Sequence, residues 1–171
     1  LMGHRHFMHK EIYEQRTIIQ DMTSRFVGKN KILPNIFGHN TDKFLENIEH
    51  IHFVACGTSY HASLVAKDWI EQFTKITCTA EVASEYKYKK INVLPKTLFV
   101  SISQSGETAD TISSLKKALK LSYTNTLAIC NVAESTLTRL SGMNFLMNAG
   151  PEISVASTKA FTSQLFTLLL L

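Results

Sequence analysis

The segment Ser103-Gln104-Ser105-Gly106-Glu107-Thr108 carries more hydroxyls than a structural turn needs. Six of the thirteen residues 101–113 are Ser or Thr, namely Ser101, Ser103, Ser105, Thr108, Thr111 and Ser113. Capping a helix takes one hydroxyl. Several hydroxyls packed around a glycine suit a phosphate, whose oxygens accept from hydroxyls, backbone N–H groups and the positive end of a helix. Glu107 and Asp110 would repel a dianion, so their side chains are expected to point away from it. A second candidate is Cys56-Gly57-Thr58-Ser59, where glycine permits close backbone approach to a ligand and two hydroxyls stand at a helix start. A simple turn with an N-cap explains the same four residues. The third is Glu152-Ile153-Ser154-Val155-Ala156-Ser157-Thr158-Lys159, with three hydroxyls and a free helix terminus. Lys159 has no partner in view that would lower its pKa, so it reads as a positioning or ion-pairing residue and not as a Schiff-base nucleophile. Three polar loops on one sheet edge would make a pocket for a small anionic polyol.

Strands and helices must alternate to place these loops together. Residues 51–56, 77–82, 98–103, 127–132 and 145–147 read as five short strands, the first an apolar run ending at Gly57. Helices are expected from Thr58 to Lys75, with Ala62, Ala66, Trp69 and Phe73 inward, and from Thr108 to Leu121, with Ile112, Leu115 and Leu119 inward. A last helix starts near Ser157 or Thr158, and an amphipathic one covers residues 10–27, with Ile12, Ile19, Met22 and Phe26 at helical spacing. Residues 30–40, with Pro34 and Gly38, read as irregular. Strands without polar alternation belong in a sheet covered on both faces. The fold class is therefore α/β, a three-layer αβα arrangement around a parallel five-stranded sheet. Ligands of such sheets sit outside the carboxyl ends of the strands, where the strand order reverses.

Composition narrows the chemistry. With 44% apolar and 19% charged residues, disorder is excluded. The net charge of +4 is spread over short lysine groups, Lys87, Lys89 and Lys90 in one and Lys116, Lys117 and Lys120 in another. These read as solvated faces, not as the dense basic stripe with interleaved aromatics that a nucleic-acid site needs, and no nucleic acid is expected as a partner. Cys56, Cys78 and Cys130 lack metal-ligand spacing, and the odd count without a secretory stretch points to reduced thiols and a cytoplasmic protein. His4, His6 and His9 lack a fourth ligand, so no metal is expected. No GxG fingerprint, phosphate-binding GxxxxGK[ST] or GxSxG elbow is present, and no cofactor is expected. Residues 165–171 are apolar apart from Thr167 but too few to span a bilayer, so no membrane association is expected. The chain stops inside this run, which reads as a cut through a longer protein.

The loops, in this order, resemble the sugar-isomerase (SIS) domain, with SQSGET at residues 103–108 typical of its phosphate loops. Combined with CGTSYH at 56–61, LAICNV at 127–132 and EISVASTKAFTSQ at 152–164, they are similar to the amidotransferase family that makes glucosamine 6-phosphate from fructose 6-phosphate and glutamine. RHFMHKEIYEQ at 5–15 resembles that family's linker between glutaminase and isomerase domains; Arg16 departs from it, standing where proline is common. The resemblance implies a flavodoxin-like strand order. It assigns residues 1–40 to the linker and its amphipathic helix, and 41–171 to a first SIS subdomain truncated within its last helix. It implies phosphate contacts at Ser59, Ser103, Gln104, Ser105 and Thr108, and sugar contacts at Cys56, Gly57, Thr58, Val155 and Ser157. It places no catalytic residue in this chain. The family's ammonia-releasing cysteine falls before Leu1, and its proton-transfer groups fall after Leu171, in a second SIS subdomain. Implied partners are that subdomain, the glutaminase domain and a second copy in a homodimer.

Two other readings stay open. A sugar-phosphate-sensing module of a regulator should carry a helix-turn-helix segment, which residues 1–50 do not suggest. A free-standing isomerase needs its own acid or base, for which His61 is the placed candidate. The last helix, with Phe161, Leu165, Phe166 and Leu168 to Leu171, is expected to be apolar on nearly every face and to leave a patch that drives self-association.

Overall fold

The computed structural model describes residues 3–39 and 41–171, apart from the side chain of Asp42. Its strands are β1 (His50–Ala55), β2 (Thr77–Val82), β3 (Thr97–Ser103), β4 (Asn125–Cys130) and β5 (Met143–Leu146). They form one parallel sheet in the order β2-β1-β3-β4-β5, the flavodoxin-like order expected from the resemblance. All seven residues of β3 are buried, as a central strand covered on both faces must be.

Alternation along each strand divides the core into two layers. Ile51, Phe53 and Ala55 of β1 face one way, with Val100, Ile102, Leu127 and Ile129. They meet α1 (Phe7–Phe26), α3 (Gly57–Phe73) and α7 (Lys159–Leu170) through Met22, Ala62, Ala66, Ile70 and Leu168. Val54, Phe99 and Ala128 face the other way, onto Tyr86 of α4 (Ala83–Tyr86), Leu115 and Ala118 of α5 (Ala109–Ala118) and Leu137 of α6 (Thr136–Leu140). A short α2 (Thr41–Leu45) precedes the sheet. The arrangement is the expected αβα sandwich.

Several boundaries and faces differ from the periodicity reading. Helix α1 begins at Phe7, three residues before the expected start. Its Met22 is fully buried and Ile19 packs on the core, while Ile12 is exposed. Helix α3 starts at Gly57, so Cys56 is its N-cap and Thr58 lies inside the first turn. Ile70 completes its inner face, and Phe73 is 74% exposed. Helix α5 ends at Ala118 and leaves Leu119 exposed. The short helices α2, α4 and α6, of four or five residues each, were too brief to show a period. Asn40, the end of the expected irregular stretch, lies outside the described residues.

Helix α7 is mostly covered by its own chain. Leu168 and Leu170 are buried, and Phe161, Leu165, Phe166 and Leu171 pack against the core. Of the seven large apolar side chains expected to lose cover, Leu169 alone is strongly exposed, at 57%. The expected bare patch is therefore corrected to a single leucine, because α7 packs against both α1 and α3.

Candidate sugar-phosphate site

Reversal of strand order between β1 and β3 opens a crevice at their carboxyl ends. A cavity of about 230 Å³ lies there, lined by Cys56, Thr58 and Ser59 after β1 and by Ser103, Gln104, Ser105, Thr108 and Thr111 after β3. Glu152, Ser154, Val155 and Ser157 close it from the loop before α7. The fold thus brings together nine of the ten candidate contact residues. The tenth, Gly57, does not line the cavity; it turns the chain into α3 at φ +56°.

The loop 103–108 is shaped by its own hydroxyls. Gly106 N–H donates to Ser103 Oγ at 3.0 Å, and Ser103 Oγ is hydrogen-bonded to Thr108 Oγ1 at 3.1 Å. Glu107 N–H donates to Ser105 Oγ at 3.2 Å. Gly106 has φ +68°, and a Cβ there would run into Ser135, so glycine is required both for conformation and for space. Thr108 is the N-cap of α5, yet no side chain caps the helix, and its positive end faces the cavity.

Of the nearby carboxylates, Glu107 and Asp110 are engaged away from the cavity, while Glu152 lines it and is bonded to the start of α7. Glu107 Oε1 accepts from Thr136 N–H at 2.6 Å, and these hydrogen bonds from Thr136 hold its carboxyl below the usual range. Asp110 pairs with Lys87 at 2.6 Å. The loop is fixed further by Asn131 N–H to Gln104 O and Leu137 N–H to Gly106 O, each at 3.1 Å.

The third loop differs from expectation in one respect. The amino end of α7 is not free. Glu152 accepts from the N–H groups of Thr158 and Ala160, at 2.8 and 3.3 Å, and from the hydroxyls of Ser157 and Thr158. A carboxylate already occupies that helix end, whereas the amino ends of α3 and α5 at the cavity carry no side-chain cap. The six-residue gap from Glu152 to Thr158 hid this cap, since the capping-box signature places its partner three residues away.

Lys159 is 4% exposed and pairs with Glu14 of α1 at 2.8 Å, the ion-pairing role read from the sequence. Ser59 Oγ accepts from Gln164 Nε2 at 2.9 Å and so ties α3 to α7. His61 is exposed, does not line the cavity, and stacks near Tyr60. Thr111, one of the six hydroxyls in residues 101–113, has its Oγ1 buried at the cavity wall with no hydrogen-bond partner. The histidine-rich start places His4 Nδ1 3.3 Å from His9 Nδ1, and no cluster of metal-ligating side chains occurs among the described residues.

This geometry agrees with known proteins. Residues 44–171 match the SIS domain family. Over 168 residues the chain is 51% identical to glutamine–fructose-6-phosphate aminotransferase (isomerizing) of Pseudomonas aeruginosa, covering 98% of this chain and 28% of that protein. The corresponding protein of Haemophilus influenzae is 49% identical, over 98% of this chain and 27% of its own length. The C-terminal domain of glucosamine-fructose-6-phosphate aminotransferase from Francisella tularensis superimposes with a TM-score of 0.94 at 46% identity, over 98% of this chain and 47% of that one. A glucosamine-6-phosphate deaminase from Thermotoga maritima gives 0.76 at 25% identity, over 96% of this chain and 47% of that one. The chain spans little more than a quarter of its full-length relatives, but three quarters of it matches a single family: it belongs to the SIS domain family.

Proposed function

We propose that the chain is the sugar-phosphate-binding half of an isomerase domain, working within an enzyme of the glutamine–fructose-6-phosphate aminotransferase type. The observation that carries this reading is the amino end of α5. It is uncapped, surrounded by Ser103, Ser105 and Thr108, and freed of both adjacent carboxylates. A phosphate group placed there would accept from hydroxyls and backbone N–H groups together. Cys56, Thr58, Val155 and Ser157 then line the rest of the cavity, where hydroxyls of fructose 6-phosphate or glucosamine 6-phosphate would lie. Ser59 and Gln104 complete the phosphate end.

In this reading the chain binds and orients. Ring opening and proton transfer then belong to a second SIS subdomain, and ammonia release to a glutaminase domain, as the family resemblance implies. A second copy of the chain completes a homodimer. Free thiols at Cys56, Cys78 and Cys130 suit a cytoplasmic setting, and among the described residues no helix is long and apolar enough to cross a membrane.

Titration calorimetry tests the assignment. Fructose 6-phosphate, glucosamine 6-phosphate and inorganic phosphate should compete for one site, and unphosphorylated fructose should not bind. Ser105→Ala should weaken the phosphorylated ligands by about 10- to 100-fold, the equivalent of losing one hydrogen bond to a charged group. Unchanged binding in that variant would sink the assignment.

A further inference from the structure

Helix α1 does more than cover the sheet. Its Glu11 is 2% exposed, although carboxylates are rarely buried unless paired. The partners are all in the loop before α7. Glu11 Oε1 accepts from Ile153 N–H at 2.6 Å, both oxygens lie 3.3 Å from Ser154 N, and Oε2 accepts from Ser154 Oγ. Burial by itself would raise this carboxyl, but the bond from Ser154 Oγ, the two backbone N–H groups and the charge of Lys159 outweigh it and keep it ionised. Three and four residues further along, on the same helix face, Glu14 accepts from Lys159 and Gln15 accepts from Thr162.

Helix α1 therefore grips the loop at both ends, at residues 153–154 and again in the first turn of α7. Between the two grips stand Val155, fully exposed at the rim, and Ser157. The phosphate loop is held differently, by Asn131, Thr136, Leu137 and its own hydroxyls. We propose that Glu11 is a positioning residue for the sugar end of the cavity: through it, α1 sets where Val155 and Ser157 stand, while the 103–108 loop takes no contact from Glu11 and is held by its own bonds. A shift of α1 would then alter sugar recognition without altering the anion site. The inference rests on the sugar-phosphate reading for its binding arm, and on the Glu11 contacts alone for its exchange arm.

The test is Glu11→Gln, which keeps the side chain's volume and removes its charge, with Tyr13→Ala on the exposed face of α1 as control. Amide hydrogen exchange at Ile153 and Ser154 should accelerate by about tenfold or more in Glu11→Gln, with residues 106–108 unchanged. Affinity for glucosamine 6-phosphate should fall by about tenfold, with inorganic phosphate held within about twofold. Ser154→Ala removes one donor to Glu11 from the loop side; because Ser154 itself lines the cavity, its exchange arm alone is used, and a smaller acceleration at Ile153 decides the matter if Glu11→Gln does not fold. Unaltered exchange at Ile153 and Ser154, or equal weakening of both ligands, overturns the proposal. Accelerated exchange in a protein whose parent form binds phosphate but no sugar phosphate supports the coupling and removes the functional reading instead.

Discussion

Replacing Gly106 by alanine adds one methyl group where two separate constraints meet. The residue sits at φ +68°, which costs a non-glycine residue about 1–2 kcal/mol. The new Cβ would also stand 2.5 Å from Ser135 Cβ and 2.7 Å from Cys130 Sγ. Neither neighbour can swing aside: Cys130 is fully buried, and Ser135 is the N-cap of α6, bonded to Thr138. Overpacking of this kind adds about 1–3 kcal/mol. The sum, about 2–5 kcal/mol, is a large part of the 5–15 kcal/mol that holds a domain together. Gly57→Ala is the matched comparison, because Gly57 has φ +56° but nothing within 4 Å of a Cβ. It should lose only the conformational part, about 1–2 kcal/mol. Urea unfolding of the two variants, followed by circular dichroism, isolates the packing contribution as their difference. Gly106→Ala should also weaken inorganic phosphate, since the 106 N–H bond to Ser103 would be disturbed. If Gly106→Ala proved no more destabilising than Gly57→Ala, the close packing of the phosphate loop against α6 would be refuted.

Other perturbations probe the rest of the molecule. Glu152→Ala removes the cap of α7 and should lower stability by about 0.5–2 kcal/mol, measured by urea unfolding; Glu152→Gln should lose less. Burial pushes the His52 imidazole down, against the opposing pull of Glu81, and Lys89 pushes it down further. Its folded pKa thus lies below the unfolded value of about 6.5, so its contribution is intact above that pH and declines as pH falls through it. The urea midpoint should drop between pH 8 and pH 5.5 by more in the wild type than in His52→Asn, and equal drops would contradict the shift. Leu169→Glu should leave stability unchanged in urea unfolding, because Leu169 is exposed, whereas Leu165→Glu should destabilise the fold, because Leu165 packs on the core.

Much of this architecture was legible in the sequence because most of the strands are short apolar runs, and the longer helices α3 and α5 that follow β1 and β3 show a clear period. Residues 77–82 were placed to the residue, and the other strands to within three residues at either end. The three polar loops stood out because hydroxyls exceeded the needs of capping. What escaped was of two kinds. Helix faces slipped by a position, as at Phe73 and Leu119, because a helix end can carry an apolar residue past the last turn that touches the core. Long-range polar contacts were invisible: Glu11 lies more than 140 residues from Ser154, and no local spacing announces that partnership. The same holds for Glu152, whose cap is formed by chain geometry and not by a local motif. The last helix was misjudged because its apolar circumference was read without α1 and α3 around it.

The central claim is that phosphate binds the amino end of α5 and the sugar extends toward residues 56–58 and 154–157. Amide chemical-shift mapping with inorganic phosphate and then glucosamine 6-phosphate tests it most directly. Phosphate alone should shift residues 59 and 104–109, and the sugar phosphate should shift those and, in addition, residues 56–58 and 153–158. Shifts centred on the amino end of α7 with phosphate alone, or none at residues 104–109, would contradict the account.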